Sequence, residues 1–382
     1  MTIGFLTSEY PHQKTGSSGG IGTSIYNLAR GLVKEGHTVK VFVYQQPEDA
    51  YFIDEGIHIY AVKNIIVKGI SLFLTQNKVS KLINTHKDLD IIEVPDWTGF
   101  SSFLNVRVPV VMRLNGSDTY FCYLEQRKLK KKNYYLERIA YKRAKGIIAV
   151  SKFTGELTNT LFKTNRLFEV IPNSIDVNQF DIYLNQPNNE PYILYFGTLI
   201  RKKGVLELPL IFNEIHKQYP NIRFLLVGND SGDIISGNSS TWELMQPLFS
   251  KEALQQVTYT RGVAYSEIKS YIAKASVCVF PSFAEALPLS WLEAMAMEKP
   301  IVASTIGWAN EMITHGEQGF LVHPTHHQEF ASYIIELLKD TELSVKLGKA
   351  ARQKVIKEFS TTVVAQKSVA YYEKIIKSAA NV

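Results

Sequence analysis

The sequence predicts an α/β protein made of two doubly wound units in tandem. Three observations predict it. The chain has 382 residues, more than one ordinary hydrophobic core organises. Short apolar runs alternate with stretches of helical periodicity from end to end, the pattern of open, mostly parallel sheets. A polar, turn-rich stretch around Asp181 to Pro191, with Asn185-Gln186-Pro187-Asn188-Asn189-Glu190-Pro191 at its heart, interrupts the alternation before a second series begins.

Taken in order, Ile3 to Leu6 reads as a strand, followed by a glycine-rich loop. A helix comes next, with Ile25, Leu28, Ala29, Leu32 and Val33 on one face, and Gly36 ends it. Val39 to Tyr44, Ile91 to Val94, Val108 to Leu114, Gly146 to Val150 and Phe168 to Ile171 complete the strands of the first series. Tyr51 to Lys87 matches no specific pattern. The second series has strands at Tyr192 to Phe196, Arg223 to Val227, Val277 to Phe280, Ile301 to Ala303 and Phe320 to Val322. Helical stretches at about 328–339, 342–359 and 361–378 close the chain. The expected domains are 1–180 and 192–360, joined by a linker at 181–191, with the last helix, about 361–382, packing back on the first domain.

Composition narrows the class. Hydrophobic residues make up 45% and charged residues 20%, as in soluble globular proteins. A net charge of +6 is compatible with anionic ligands or an anionic surface. The two cysteines, Cys122 and Cys278, are far apart and form no metal or disulfide spacing. The first apolar run is too short for a signal peptide, and no stretch is long enough to span a bilayer. These features point to the cytoplasm.

The chemistry concentrates at Glu285 and Glu293. Val277 to Phe280 is followed by Pro281 and Ser282, which end the strand, and Pro288 suits the first turn of a helix. Glu285 is then expected in the loop and Glu293 about a turn and a half into the helix. The amides near Ala286, Leu287, Pro288 and Leu289 lie at the helix start, which favours an anion. By spacing alone, two carboxylates at a helix start are ordinary dipole partners; flanking an anion site, they also suit a sugar phosphate. Three cations, Arg201, Lys202 and Lys203, follow the strand Tyr192 to Phe196, where ligands of such sheets bind, and so suit a diphosphate. The loop Thr15 to Thr23, containing Gly19 and Gly20, follows the first strand and precedes a helix. It is neither a Walker loop nor a full dinucleotide fingerprint, and reads equally as a phosphate cradle or a turn. Arg113 to Asp118, with Asn115, and Glu93 to Trp97 lie at the carboxyl ends of two strands of the first series.

Together these pieces resemble the retaining glycosyltransferases of family 4. The carriers are Gly19-Gly20-Ile21-Gly22, Ile171 to Asp176, Gly197 to Gly204, Glu285 with Glu293-Ala294-Met295-Ala296, Lys299 to Ala303, Gly307 to Glu311 and Gly316 to Val322. The resemblance implies the GT-B architecture, two Rossmann-like domains facing a central cleft. It implies that Glu293 holds the nucleotide ribose, that Glu285 contacts the transferred sugar and that the 286–289 amides hold sugar hydroxyls and diphosphate. It further implies that Lys202 and Lys203 bind the diphosphate and that Gly20 brings its amide to the phosphates. Catalytic roles then fall to Glu285, Lys203, Lys202 and Asn115. Arg201, Gly19 and Gly20 join the donor contacts. The expected donor is a nucleotide sugar, used as a substrate, with no cofactor and no obligatory metal. The expected acceptor is a saccharide or lipid-linked saccharide hydroxyl, in cell-surface polysaccharide or glycolipid synthesis.

Two departures from the family pattern stand out. Thr198 follows Gly197 where Arg is frequent, and Asn115 replaces a frequent His, so Asn115 can position but cannot take up a proton. The alternatives are a nucleotide-sugar epimerase and a catalytically weak nucleotide-sugar-binding subunit.

Three other signals have plainer readings. Asp88-Leu89-Asp90 sits at the wrong end of a strand for the ligand crevice and reads as a surface turn. His323, His326 and His327 read as a loop, with Thr325 capping the next helix, rather than a metal site. Residues 127–145 carry nine Lys or Arg against one Glu. This is ordinarily a solvated helix face; the sharper reading is peripheral contact with an anionic membrane at its inner face. No nucleic-acid motif accompanies the basic stretch.

Overall fold

The computed structural model describes residues 1–16, 18–180, 182 and 191–380. The expected linker at 181–191 therefore lies outside the described residues, apart from Ile182 and Pro191. The chain forms two compact units: Met1–Asp176 with Phe359–Val382, and Val177–Glu358.

The first unit runs β1 (Thr2–Thr7), α1 (Gly20–Lys34), β2 (Thr38–Gln46), β3 (Ala50–Asp54), β4 (Ile57–Lys63), α2 (Ser71–Thr85) and β5 (Ile91–Pro95). It continues with β6 (Val110–Leu114), α3 (Asp118–Leu124), α4 (Lys131–Arg143), β7 (Gly146–Ala149), α5 (Lys152–Phe162) and β8 (Glu169–Val170). The second unit runs β9 (Tyr192–Phe196), α6 (Leu208–His216), β10 (Arg223–Val227), α7 (Thr241–Met245), α8 (Lys251–Leu254), β11 (Val257–Thr260), α9 (Tyr265–Lys274) and β12 (Val277–Phe280). After these come α10 (Leu289–Ala296), β13 (Ile301–Ser304), α11 (Ala309–Met312), β14 (Phe320–Val322), α12 (His327–Lys339) and α13 (Thr341–Lys354). A π-turn at Val355–Phe359 then leads to α14 (Thr361–Ala380), which belongs to the first unit.

The first sheet has the order β3-β4-β2-β1-β5-β6-β7-β8, all parallel except β3, which pairs antiparallel with β4. Its inner strands β2, β1, β5, β6 and β7 are largely buried on both faces, which is why they read as near-continuous apolar runs. Val39, Val41 and Val43 of β2 face one core with Leu28, Ala29 and Leu32 of α1 and Val364, Ala365 and Tyr372 of α14. Phe42 and Tyr44 face the opposite core with Val79 and Ile83 of α2 and Ala140 and Tyr141 of α4. The β3–β4 hairpin fills part of the unassigned 51–87 stretch. Its two-residue turn, Glu55-Gly56, has φ of 48° and 83°, the geometry that matches the right-handed twist of its strands. Glu-Gly is a weaker sequence signal for that turn than Asn-Gly, and β11 likewise carried no sequence signal strong enough to place it.

A buried ion pair ties α14 to this sheet. Arg113 Nε donates to Glu93 Oε1 at 2.7 Å, and both side chains are 3% exposed. Arg113 also donates to the Ile171 carbonyl and to Ser368 Oγ, and the Tyr372 hydroxyl donates to Glu93. Glu93 and Arg113 are thus structural. Arg113→Met strands the Glu93 carboxylate in the core and is expected to cost about 3 kcal/mol, read by chemical denaturation.

The second sheet has the order β11-β10-β9-β12-β13-β14, all parallel. The order reverses between β9 and β12. Loops leaving the carboxyl ends of those two strands diverge there and open the crevice where doubly wound sheets take ligands.

Candidate active site

That switch point is where Gly197 to Gly204 and Pro281 to Leu289 lie. After β9 the chain makes a single 3₁₀ turn, Arg201–Lys203, closed by Gly204 in the left-handed region at φ 66°. The Lys202 carbonyl accepts from the amides of Phe283 and Ala284, at 2.8 and 3.1 Å. The basic turn and the loop carrying Glu285 are therefore stitched together by backbone.

The stitching brings Lys203 Nζ to 3.3 Å from Glu285 Oε1, with the two side chains 21% and 13% exposed. Glu293, on the inward face of α10, is buried. Its Oε1 accepts from the Tyr265 hydroxyl at 2.8 Å. Burial pushes the Glu293 carboxyl up to about 7, while the Tyr265 hydrogen bond and the charges of Lys203 and Lys269 pull it part of the way back. Lys203 thus lies beside both Glu285 and Glu293, with the Lys202 backbone holding the loop that leads to 286–289.

Two expectations need correcting, at Pro288 and at Thr325, and Arg201 has a partner within the chain. Pro288 is the N-cap of α10, with φ −73° and ψ 125°, and not a residue of its first turn. Having no N–H, Pro288 offers no amide to a ligand; Ala286, Leu287 and Leu289 do. Arg201 sends its fork to Asp233, with contacts of 2.8 and 2.7 Å. That pairing holds the Asp233 carboxyl well below the usual carboxylate range. Arg201 therefore braces the basic turn. Thr325 does not cap α12: the N-cap is His326, and the Thr325 hydroxyl meets His323 Nδ1 at 2.9 Å. His327 Nε2 lies 2.7 Å from Glu207, and His326 pairs with Glu329. No cluster of three metal-capable side chains occurs among the described residues.

In the first unit the glycine-rich loop sits at the matching switch point, after β1 and before α1. Glu9 accepts from the amides of Gly19 and Gly22, at 3.0 and 2.9 Å, so a carboxylate of the chain itself sits at this helix start. Gly20 stands on the open side, where an added Cβ would touch nothing. Asn115 follows β6, and its amide donates to Asp96 Oδ1 at 3.0 Å. Asp96 is fully buried, which raises its carboxyl to about 7. Asp88 and Asp90 lie at the other edge of the sheet, paired with Lys40 and with the Thr2 amide.

Glu9 and the contact of Tyr265 with Glu293 are not legible in the sequence, whereas Asp96 lies in the Glu93 to Trp97 stretch expected at a strand's carboxyl end. Tyr265, the first residue of α9, lies 28 positions before Glu293, with the rest of α9 and β12 between them. Glu9 lies ten positions before Gly19, outside the glycine-bearing loop Thr15 to Thr23.

Strand order, adjacent cations and a buried carboxylate at a switch point suit an anionic ligand bearing hydroxyls. Residues 18–179 match the family model described as Glycosyltransferase Family 4, and residues 178–354 match the one described as Glycosyl transferases group 1. The chain belongs to this family of retaining GT-B glycosyltransferases and is a nucleotide-sugar-dependent enzyme; such enzymes typically work without a metal ion. It is similar to an uncharacterised glycosyltransferase of Methanocaldococcus jannaschii, 26% identical over 98% of each chain. Among solved structures it resembles sucrose-phosphate synthase from Thermosynechococcus elongatus, with a TM-score of 0.80, 20% identity and 99% of each chain covered. It also resembles Anabaena HepE in complex with UDP-glucose, with a TM-score of 0.71, 21% identity and 100% of each chain covered.

Proposed function

We propose that the second unit binds the nucleotide sugar and that Lys203, Glu285 and Glu293 carry the recognition. The observation behind this reading is the Lys203–Glu285 pair beside the buried Glu293 at the β9/β12 switch point. Glu293 accepts hydrogen bonds from the ribose hydroxyls, and Glu285 accepts from hydroxyls of the sugar. Lys202, Lys203 and the amides of Ala286, Leu287 and Leu289 hold the diphosphate. Arg201 contributes by bracing this turn.

In the reaction the bond between the anomeric carbon and the phosphate oxygen breaks first, and its electron pair leaves with the nucleoside diphosphate. Lys203 and Lys202 stabilise that growing negative charge, which makes a metal ion unnecessary. The acceptor oxygen then bonds to the anomeric carbon on the same face, and its proton passes to the departing phosphate. In the first unit, on the acceptor side, Asn115 positions a hydroxyl, and Gly20 is the backbone contact to phosphate, while the Gly19 amide stays on Glu9 and holds the loop in place. The proposed acceptor is a saccharide or lipid-linked saccharide of cell-surface polysaccharide or glycolipid synthesis. The proposed setting is cytoplasmic, with residues 127–145 touching the inner face of an anionic membrane. HepE was solved with UDP-glucose, which makes that the first donor to assay.

Glu293→Ala is expected to weaken donor binding 10- to 100-fold in titration calorimetry, in line with loss of charge-assisted hydrogen bonds. Unchanged donor affinity and turnover would overturn the assignment. The same carboxyl sets a pH dependence. It binds ribose best when ionised, so donor affinity should rise with pH through about 7 and then level off. Stability runs the other way. The folded value, about 7, lies above the ordinary 4.5, so this contribution is complete below 4.5 and is lost as pH rises through 7. Glu293→Gln should therefore melt higher than the wild type above pH 7.

A further inference from the structure

The turn between β4 and α2 exposes an apolar knuckle. Ile66 is 86% exposed, Val67 42%, Ile70 51% and Phe73 59%. Four large apolar side chains within eight residues are more than the scattered exposure usual on a soluble surface.

The knuckle is preformed. The Ser71 hydroxyl donates to the Val67 carbonyl at 2.6 Å and accepts from the Val67 amide at 2.8 Å. The amides of Ile70 and Ser71 also donate to the Val67 carbonyl. The N-cap of α2 is Ile70, with no capping side chain. A branched apolar residue there is unfavourable for the helix, so local helix stability does not explain it.

Cations share this end of the unit. β4 and β6 run parallel, so the turn after β4 and the segment after β6 both leave the carboxyl edge of the sheet. α2 and α4 cover the same face of that sheet. The segment around residues 99 and 100 lies between them: Gln76 of α2 donates to the Phe100 carbonyl, and Gly99 abuts Leu136 and Glu137 of α4. The start of α4 therefore lies on the knuckle's side, and the helix start with the segment leading into it carries exposed Lys128, Lys130, Lys131 and Lys132. Tyr123 and Tyr135, both more than half exposed, flank these lysines. Lys68 sits within the knuckle itself. Lysines at a helix N-terminus oppose the helix dipole, and the first turn of α4 has no acidic residue to offset them. An anionic surface would supply the missing negative charge.

We propose that this end of the first unit docks on an anionic lipid bilayer. Ile66, Val67, Ile70 and Phe73 enter the acyl boundary, and Lys68, Lys128 and Lys130–Lys132 engage the headgroups. Apolar insertion and a polybasic patch are the two signals that stable peripheral binding combines. The inference deepens the membrane contact proposed above by adding the part that inserts.

The test is co-sedimentation with vesicles of phosphatidylcholine alone or with 30% phosphatidylglycerol, a composition of about one anionic lipid in three. The wild type should bind the anionic vesicles at low salt. The triple variant Ile66→Ser, Ile70→Ser, Phe73→Ser should bind at least tenfold more weakly. Lys130→Gln, Lys131→Gln, Lys132→Gln should remove the preference for anionic lipid. Phe73→Trp should be quenched by acyl-chain-brominated lipid, a readout in a chain whose side chain there is already aromatic. Wild-type binding by the triple variant, or an unquenched Trp at position 73, would overturn the proposal. So would a self-associated species in sedimentation that the serines dissolve while vesicles go unbound. Donor binding measured without vesicles stands apart, so failure at the membrane and failure of the donor site are told apart.

Discussion

Lys203→Ala should lower kcat by about 10²- to 10³-fold, the usual consequence of removing one preorganised charge from the site of a developing anion. Donor affinity should fall far less, because in the proposed site the amides of 286, 287 and 289 and Glu293 remain to hold the ground state. Two features of Lys203 make the effect large. It is only 21% exposed, so solvent screens its charge weakly, and its partner Glu285 fixes where the ammonium sits. Its loss also leaves Glu285 in the crevice without this cation. Lys203→Arg should recover only part of the rate, since a planar fork does not occupy the place of a compact ammonium. Single-turnover transfer measured beside equilibrium donor binding separates the two effects. Equal loss in both would mean that Lys203 only binds, and no loss would remove it from the site.

Gly204→Ala should be the most damaging single methyl in the second unit. An added Cβ would lie 1.7 Å from the Pro281 carbonyl oxygen, on a residue already at φ 66°. Backbone faces backbone, so no side chain can swing aside. The expected cost is about 4 kcal/mol or more, in the range reserved for buried clashes. Gly237 offers the control. It is also left-handed, at φ 76°, but a Cβ there meets nothing within 4 Å. Gly237→Ala should cost only about 1 kcal/mol of backbone strain. Thermal denaturation compares the pair directly. Where Gly204→Ala still folds, transfer should fall with it, because the Gly204–Pro281 contact is where the basic turn meets the acid loop.

Much of this was readable in the chain. Nearly every strand is a short apolar run, because both faces of each sheet are covered and burial leaves little room for polar residues. Glu285 in a loop, Glu293 on a helix and the cations after β9 follow from strand-end punctuation by Pro281, Ser282 and Gly197. The hairpin Ala50–Lys63 was missed because its turn lacks a strong signature, and β11 because its four residues are only partly buried.

The sequence by itself determined the alternation of elements, the family and the residue types at the switch point, since these depend on local periodicity and on motifs a few residues long. Only the tertiary structure decided which charges meet. It gave Arg201 to Asp233 and Lys203 to Glu285, although the two cations are two positions apart. It laid the Tyr265 hydroxyl on Glu293 and the Glu9 carboxylate on the glycine-loop amides. The reason is physical. A charge run states only that cations are present, whereas the direction each one faces is set by the turn that carries it and by the strand that the turn packs against. Likewise, a carboxyl's pKa depends on how much water the surrounding fold excludes.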